Sequence, residues 1–271
     1  MMNGEIHYEV NERVATVTLN RPERKNAWSP QMEKEFRIAM EQAARDDEVR
    51  AIVITGAGSS FCVGADMGRL SDASTGTAAA SAAQPLAPPD RQSLADYEQR
   101  YSWLLAIDKP LIAAINGAVA GVGLCLTLYC DIRYMADGTK LSTAFVRRGL
   151  IAEHGSAWIL PRLIGPMNAA DLLLSGRTID AAEAHSLGLV RLLPSSDFMK
   201  RVHDYAAELA TRSSPRSMRI IKRQLRDATA QSLAQAIIVA DEETRKCRQT
   251  EDFKEGVASY LQKRPPMFSG R

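Results

Sequence analysis

The sequence is short of the features that would place it quickly. Its 271 residues contain four cysteines, Cys62, Cys125, Cys130 and Cys247, with no CxxC pair and no Cys/His metal spacing. Neither a disulfide framework nor a metal site is therefore expected. Charge of one sign is lacking too: 34 Lys and Arg face 32 Asp and Glu, a formal net charge of +2. That leaves no excess field for a polyanion, and no nucleic-acid partner is expected. There is no unbroken apolar run of the roughly 18 residues that a bilayer span needs. The opening MMNGEIHYEV passes directly into strand-like sequence, without a secretory signal or an Arg/Ser-rich import segment. These absences lead to the expectation of a cytoplasmic protein with free thiols and no membrane contact.

A chain that is 45% hydrophobic and of this length can bury a full core without staples. Ile6 to Val10 and Val14 to Leu19 flank a polar Asn11-Glu12-Arg13 and read as a hairpin. Ser29-Pro30 is an N-cap followed by proline at the first helical position, and Met32, Phe36, Met40 and Ala43 recur at helical spacing, predicting a helix over 30–45. Ala51 to Thr55, Leu111 to Ile115 and Ile132 to Met135 read as buried strands. The ββα order argues for a coil of strands walled by helices. Residues 71–92, rich in Ala, Ser, Thr and Pro, read as a loop, either a lid or a solvated insertion. A helix is expected over 91–107. Beyond Gly149 the spacing predicts helices, including one opened by Ser214-Pro215 and two more over 232–246 and 252–262.

The chemistry-bearing stretch is Lys109 to Asp131, KPLIAAINGAVAGVGLCLTLYCD. The strand breaks at Asn116-Gly117, and Gly121-Val122-Gly123 opens a helix whose first N–H groups lack internal partners and can receive an anion. Alone, such glycines only let a helix pack close to a strand. A second strand-to-loop junction, Thr55 to Met67 (TGAGSSFCVGADM), has the same character, so two loops could aim one N–H each at a common point.

Five segments resemble the crotonase, or enoyl-CoA hydratase/isomerase, superfamily: LNRPERKNA at Leu19 to Ala27, the Thr55 to Met67 stretch, KPLIAAINGAVAGVG at Lys109 to Gly123, CDIRYMAD at Cys130 to Asp137, and RTIDAAEAHSLGLV at Arg177 to Val190. The resemblance implies an α/β crotonase (ClpP-like) fold: a ββα spiral core over 1–195 carrying an acyl-CoA site, and a helical C-terminal region over 196–271 that packs on neighbouring subunits in a trimer or hexamer. It also implies that the amides of Ala65 and Val122 hold a thioester oxyanion. No separate cofactor is implied, because coenzyme A arrives with the substrate. The backbone from Cys62 through Val63 to Asp66 would meet the adenine, and Arg24 or Lys25 the phosphates. Lys254, Lys263 and Phe268 would reach in from a neighbouring subunit.

Where hydratases of the family carry two glutamates, this sequence has Cys125 and Phe145. Glu153, in GLIAEHGSAW, resembles instead the single acid of enoyl-CoA isomerases, which moves a proton between two carbons. Set against Ile151 and Trp158, it would have an apolar setting suited to proton transfer; the plain alternative is an acid in a helix's first turn, complementing the dipole. His154 is read as structural, since adjacent helix-turn residues point apart, and Cys125 as an apolar filler. Trp28 and Trp158 are read as core or pocket wall. Double-bond isomerisation leads; hydration with substitute acids, a non-catalytic acyl-CoA-binding protein and an RNA-binding relative are the alternatives.

Overall fold

The computed structural model describes residues 4–66 and 95–271; the expected lid over 71–92 and the first residues of the expected 91–107 helix lie outside them. The hairpin forms as read. Strand β1 (Ile6–Asn11) pairs antiparallel with β2 (Val14–Leu19), and Glu12 and Arg13 between them both have positive φ, 48° and 65°, the backbone twist that a two-residue hairpin turn requires. Helix α1 (Pro30–Arg45) starts where the Ser29 hydroxyl accepts the Met32 N–H, and it buries Met32, Phe36, Ala39, Met40 and Ala43.

From β2 the sheet runs parallel through β3 (Ala51–Gly56), β5 (Leu111–Ile115), β7 (Ile132–Ala136) and β10 (Arg191–Leu193). Side chains alternate across a strand, and both faces of this sheet are covered. Ala15, Val17, Leu19, Ile52, Ile54, Leu111, Ala113 and Ile115 enter the larger core with α1. Val14, Ala51, Val53, Ile112 and Ala114 face the other way, onto Phe198, Val202, Ala206 and Ala210 of the helix Phe198–Arg212. Covering on both faces is why these strands read as continuous apolar runs.

A second sheet, which the sequence reading missed, positions the site. Its strands β4 (Ser60–Cys62), β6 (Ala118–Ala120), β8 (Lys140–Ser142) and β9 (Thr178–Asp180) have three residues each, too few for a periodic signal. β4 lies parallel to β6, with Ser60 opposite Ala118 and Cys62 opposite Val119. Each strand of that pair leads out of the first sheet and into one of the two glycine-bearing loops, so the pairing sets the loops side by side.

The helix expected over 91–107 is not what forms: residues 95–107 hold two short 3-10 stretches, Ala95–Tyr97 and Ser102–Ala106. Tertiary burial overrides local preference here. Tyr101, Trp103 and Leu104 are all buried, and the Trp103 indole N–H donates to the Arg100 carbonyl at 2.8 Å.

Past β8, helix α2 (Val122–Leu128) having already been passed, the chain continues as α3 (Ser156–Ile164), α4 (Pro166–Ser175), α5 (Ala181–Ser186), α6 (Phe198–Arg212), α7 (Pro215–Asp227), α8 (Leu233–Cys247) and α9 (Glu251–Leu261). Ser214 caps α7 as expected, accepting the Ser217 N–H. Among the described residues no helix is long and apolar enough to cross a membrane.

Candidate active site

The first loop is clamped by the segment before α1. Trp28 and Ala65 form an isolated parallel bridge: the Trp28 N–H donates to the Gly64 carbonyl at 2.8 Å, and the Asp66 N–H donates to the Trp28 carbonyl at 3.2 Å. In a parallel pairing of this kind the residue between the two bonds points its own N–H the other way. The Ala65 amide is thus turned from Trp28, with no acceptor among the described residues. Asn26, fully buried, holds the clamp in place: its Oδ1 accepts the Arg21 N–H at 2.8 Å, and its Nδ2 donates to the carbonyls of Ala57 and Ser60.

The second loop ends at Gly121, whose φ of 53° and ψ of −124° suit glycine. Val122 opens α2, so its N–H is one of the groups that a helix start leaves unpaired. Gly123 allows α2 to approach β4: a methyl group there would lie 2.5 Å from the Cys62 carbonyl oxygen. Cys62 is fully buried under this contact, and burial pushes its thiol up to about 12.

Ala65 and Val122 line one cavity of about 580 Å³. Of the residues expected at a ligand site, Arg24, Lys25, Val63, Asp66 and Glu153 line it as well; the Cys62 side chain does not. Arg24 and Lys25 have no ion pair among the described residues, whereas Asp66 is held by Arg21 Nη2 at 3.2 Å. Within the chain Lys254 and Phe268 stand away from this cavity. Lys254 pairs with Glu251 at 2.7 Å on α9, and Phe268 packs against Gly256 beside a second cavity.

Glu153 is not a first-turn acid. α3 begins at Ser156, its N-cap is Gly155, and its first turn holds no acid. The Glu153 carboxylate is 38% exposed, with the His154 Nε2 at 3.9 Å. The apolar setting expected from Ile151 and Trp158 is absent, because both point outward, 80% and 49% exposed. Trp158 is therefore surface, covered by the Arg162 guanidinium at 3.8 Å, whereas Trp28 is core and cavity wall. Behind Glu153 lies Cys125, fully buried, its Sγ 3.7 Å from the Glu153 carbonyl. Burial, and then the nearby Glu153, pushes that thiol up to about 12, which leaves an apolar filler at neutral pH. Phe145 is buried and lines the cavity.

Arg100, Tyr101, Thr143, Ala144 and Arg148 line the cavity without having been singled out in the sequence, and His154 was read there only as structural. Tyr101 and Arg100 come from the irregular stretch that precedes β5, with no motif to mark them. Arg100 forms a two-point pair with Glu33 and lies over the Tyr101 ring. His154 lines the cavity beside Glu153. The expectation that the two would point apart assumed a helical turn; instead His154 and Gly155 have φ of 53° and 71°.

The family model described as enoyl-CoA hydratase/isomerase matches residues 9–271. The chain is 32% identical to the 1,2-epoxyphenylacetyl-CoA isomerase of Escherichia coli K12, with 97% of each chain covered. It is 34% identical to a probable enoyl-CoA hydratase of Rhodobacter capsulatus, with 98% of each covered. Among solved structures, an enoyl-CoA hydratase from Polaromonas sp. JS666 superposes with a TM-score of 0.85 at 28% identity, covering 97% of this chain and 99% of the other. The chain thus belongs to the enoyl-CoA hydratase/isomerase family, as an enzyme of the α/β crotonase fold.

Proposed function

We propose that the protein moves the carbon–carbon double bond of an enoyl-CoA thioester. Glu153 removes a proton from the carbon next to the thioester carbonyl, and the electron pair spreads through the conjugated system onto the carbonyl oxygen. The N–H groups of Ala65 and Val122 stabilise that oxygen; one such donor is worth roughly 2.7–4 kcal/mol in other enzymes. Glu153, now protonated, returns the proton at the far carbon, so no water is consumed. Arg24 and Lys25 meet the phosphates of coenzyme A.

One observation carries this reading. Of the acids lining the cavity, Asp66 is taken up by Arg21, and Glu153 is partly exposed beside both amides' cavity. The names of the hydratase relatives favour water addition instead. Against it, the Cys125 thiol and Phe145 ring offer no carboxylate to hold a water, and a 1,3-shift needs only one. Glu153→Gln, assayed on 3-enoyl-CoA and 2-enoyl-CoA thioesters, should lose about 10²- to 10⁴-fold in isomerisation. Unchanged turnover would remove Glu153 from the reaction, and water addition by the wild type would favour the hydratase reading.

Self-association as a trimer or hexamer belongs to the same proposal. Leu233 and Ile238 of α8 and Tyr260 and Leu261 of α9 are large apolar or aromatic side chains exposed by 67% or more, surface of the helical C-terminal region that a neighbouring subunit would cover. Light scattering on the purified protein tests it; a monomer would refute it.

A further inference from the structure

His154 lies on the same cavity wall as Glu153, and its backbone conformation and two contacts hold it there. Its φ of 53° belongs to the region that favours glycine or asparagine. The Tyr129 hydroxyl donates to its carbonyl at 2.8 Å, fixing the peptide. Its ring stands edge-on to the Tyr101 ring, centroids 4.8 Å apart at 80°, fixing the side chain. The outcome is an imidazole whose Nε2 is 3.9 Å from Glu153 Oε2, with His154 17% and Glu153 38% exposed.

We propose that His154 is a positioning residue for Glu153: in its neutral form with the proton on Nε2, it donates to the carboxylate and sets the direction from which Glu153 meets the substrate. This inference rests on the reading of Glu153 as the proton carrier. The gap is about 1 Å beyond hydrogen-bond length; the partly exposed Glu153 side chain has room to turn towards the imidazole, while the Tyr101 ring holds the imidazole from its edge.

The groups facing the pair leave the imidazole neutral at working pH. Burial and then the Arg100 charge push His154 down to about 4, with Glu33 opposing. Tyr101 and Tyr129, both raised by burial, stay protonated, as does Cys125. Arg24, Lys25 and Arg148 are the remaining cations of the cavity, and Asp66 the remaining anion. A neutral imidazole can give an N–H to a carboxylate without neutralising it as a base.

The test compares His154→Ala with His154→Gln, which share the backbone cost at positive φ but differ in having a side-chain N–H near the place of Nε2. Losing a donor to a charged acceptor should lower kcat about tenfold with KM little changed. The donor favours the ionised carboxylate, so its loss should move the acid limb of the kcat profile up by about one pH unit. His154→Gln should recover most of both. An acid limb that stays put in His154→Ala, or equal behaviour of the two variants, overturns the inference. Should His154→Ala fold poorly, His154→Gly, suited to this backbone, serves as the donor-free variant. Glu153→Gln is run alongside. Its loss of turnover with wild-type values for His154→Ala overturns the role of His154 alone, and wild-type turnover in Glu153→Gln overturns both readings.

Discussion

Gly64 and Gly121 meet backbone to backbone. A methyl group on Gly121 would lie 3.6 Å from the Gly64 Cα, and one on Gly64 would lie 3.5 Å from the Ala120 carbonyl oxygen. Ala65 and Val122 each follow one of these glycines, so the contact brings the two residues together on the wall of a common cavity.

Gly121→Ala should therefore damage stability and activity together. An alanine held at φ 53° and ψ −124° costs about 1–3 kcal/mol, and relief of that strain moves the Val122 N–H. Gly138→Ala is the control: it too has positive φ, 75°, but a methyl group there meets nothing within 4 Å. Urea midpoints should fall in both variants, while turnover should fall only in Gly121→Ala.

Cys125 should prove dispensable to the chemistry. With its thiol pushed up to about 12 by burial, almost no thiolate exists at pH 7. Cys125→Ala should keep turnover within about threefold while losing roughly 1 kcal/mol to the small cavity left behind. A loss of two orders of magnitude, with the fold intact, would give the thiol a role.

His154 should make the protein acid-sensitive. Its pKa is 6.5 when unfolded and about 4 when folded, so between these values the unfolded chain binds more protons and stability rises with pH. The contribution is complete above pH 6.5 and is lost as pH falls towards 4. In full it is on the order of 3 kcal/mol, of which about 2 kcal/mol is lost between pH 7 and pH 5. Urea unfolding at pH 7 and pH 5 should show a smaller drop for His154→Gln than for the wild type; equal drops would place the titration elsewhere.

Much of the frame was readable from local signals. The β1–β2 hairpin, the Ser29 and Ser214 caps and the buried strands β3, β5 and β7 follow from short-range pattern and turn chemistry. The glycine-bearing loops were readable as a pair through motif resemblance, and Glu153 through the acids that Cys125 and Phe145 replace. What failed was long-range. The three-residue strands of the second sheet exist only because β4 and β6 find each other, the Trp28–Ala65 bridge joins segments 37 residues apart in sequence, and the 95–107 stretch gives up a regular helix to bury Tyr101, Trp103 and Leu104. His154 was misplaced because a non-glycine residue at positive φ breaks the helical geometry that its neighbours suggest.

The central claim is that two backbone amides from separate loops hold one thioester oxygen. A crystal structure with a non-hydrolysable enoyl-CoA analogue measures it directly. The account predicts the carbonyl oxygen within about 2.7–3.1 Å of both the Ala65 and Val122 nitrogens, with Glu153 as the carboxylate nearest the adjacent carbon. A carbonyl bound elsewhere, or touching neither amide, would contradict it.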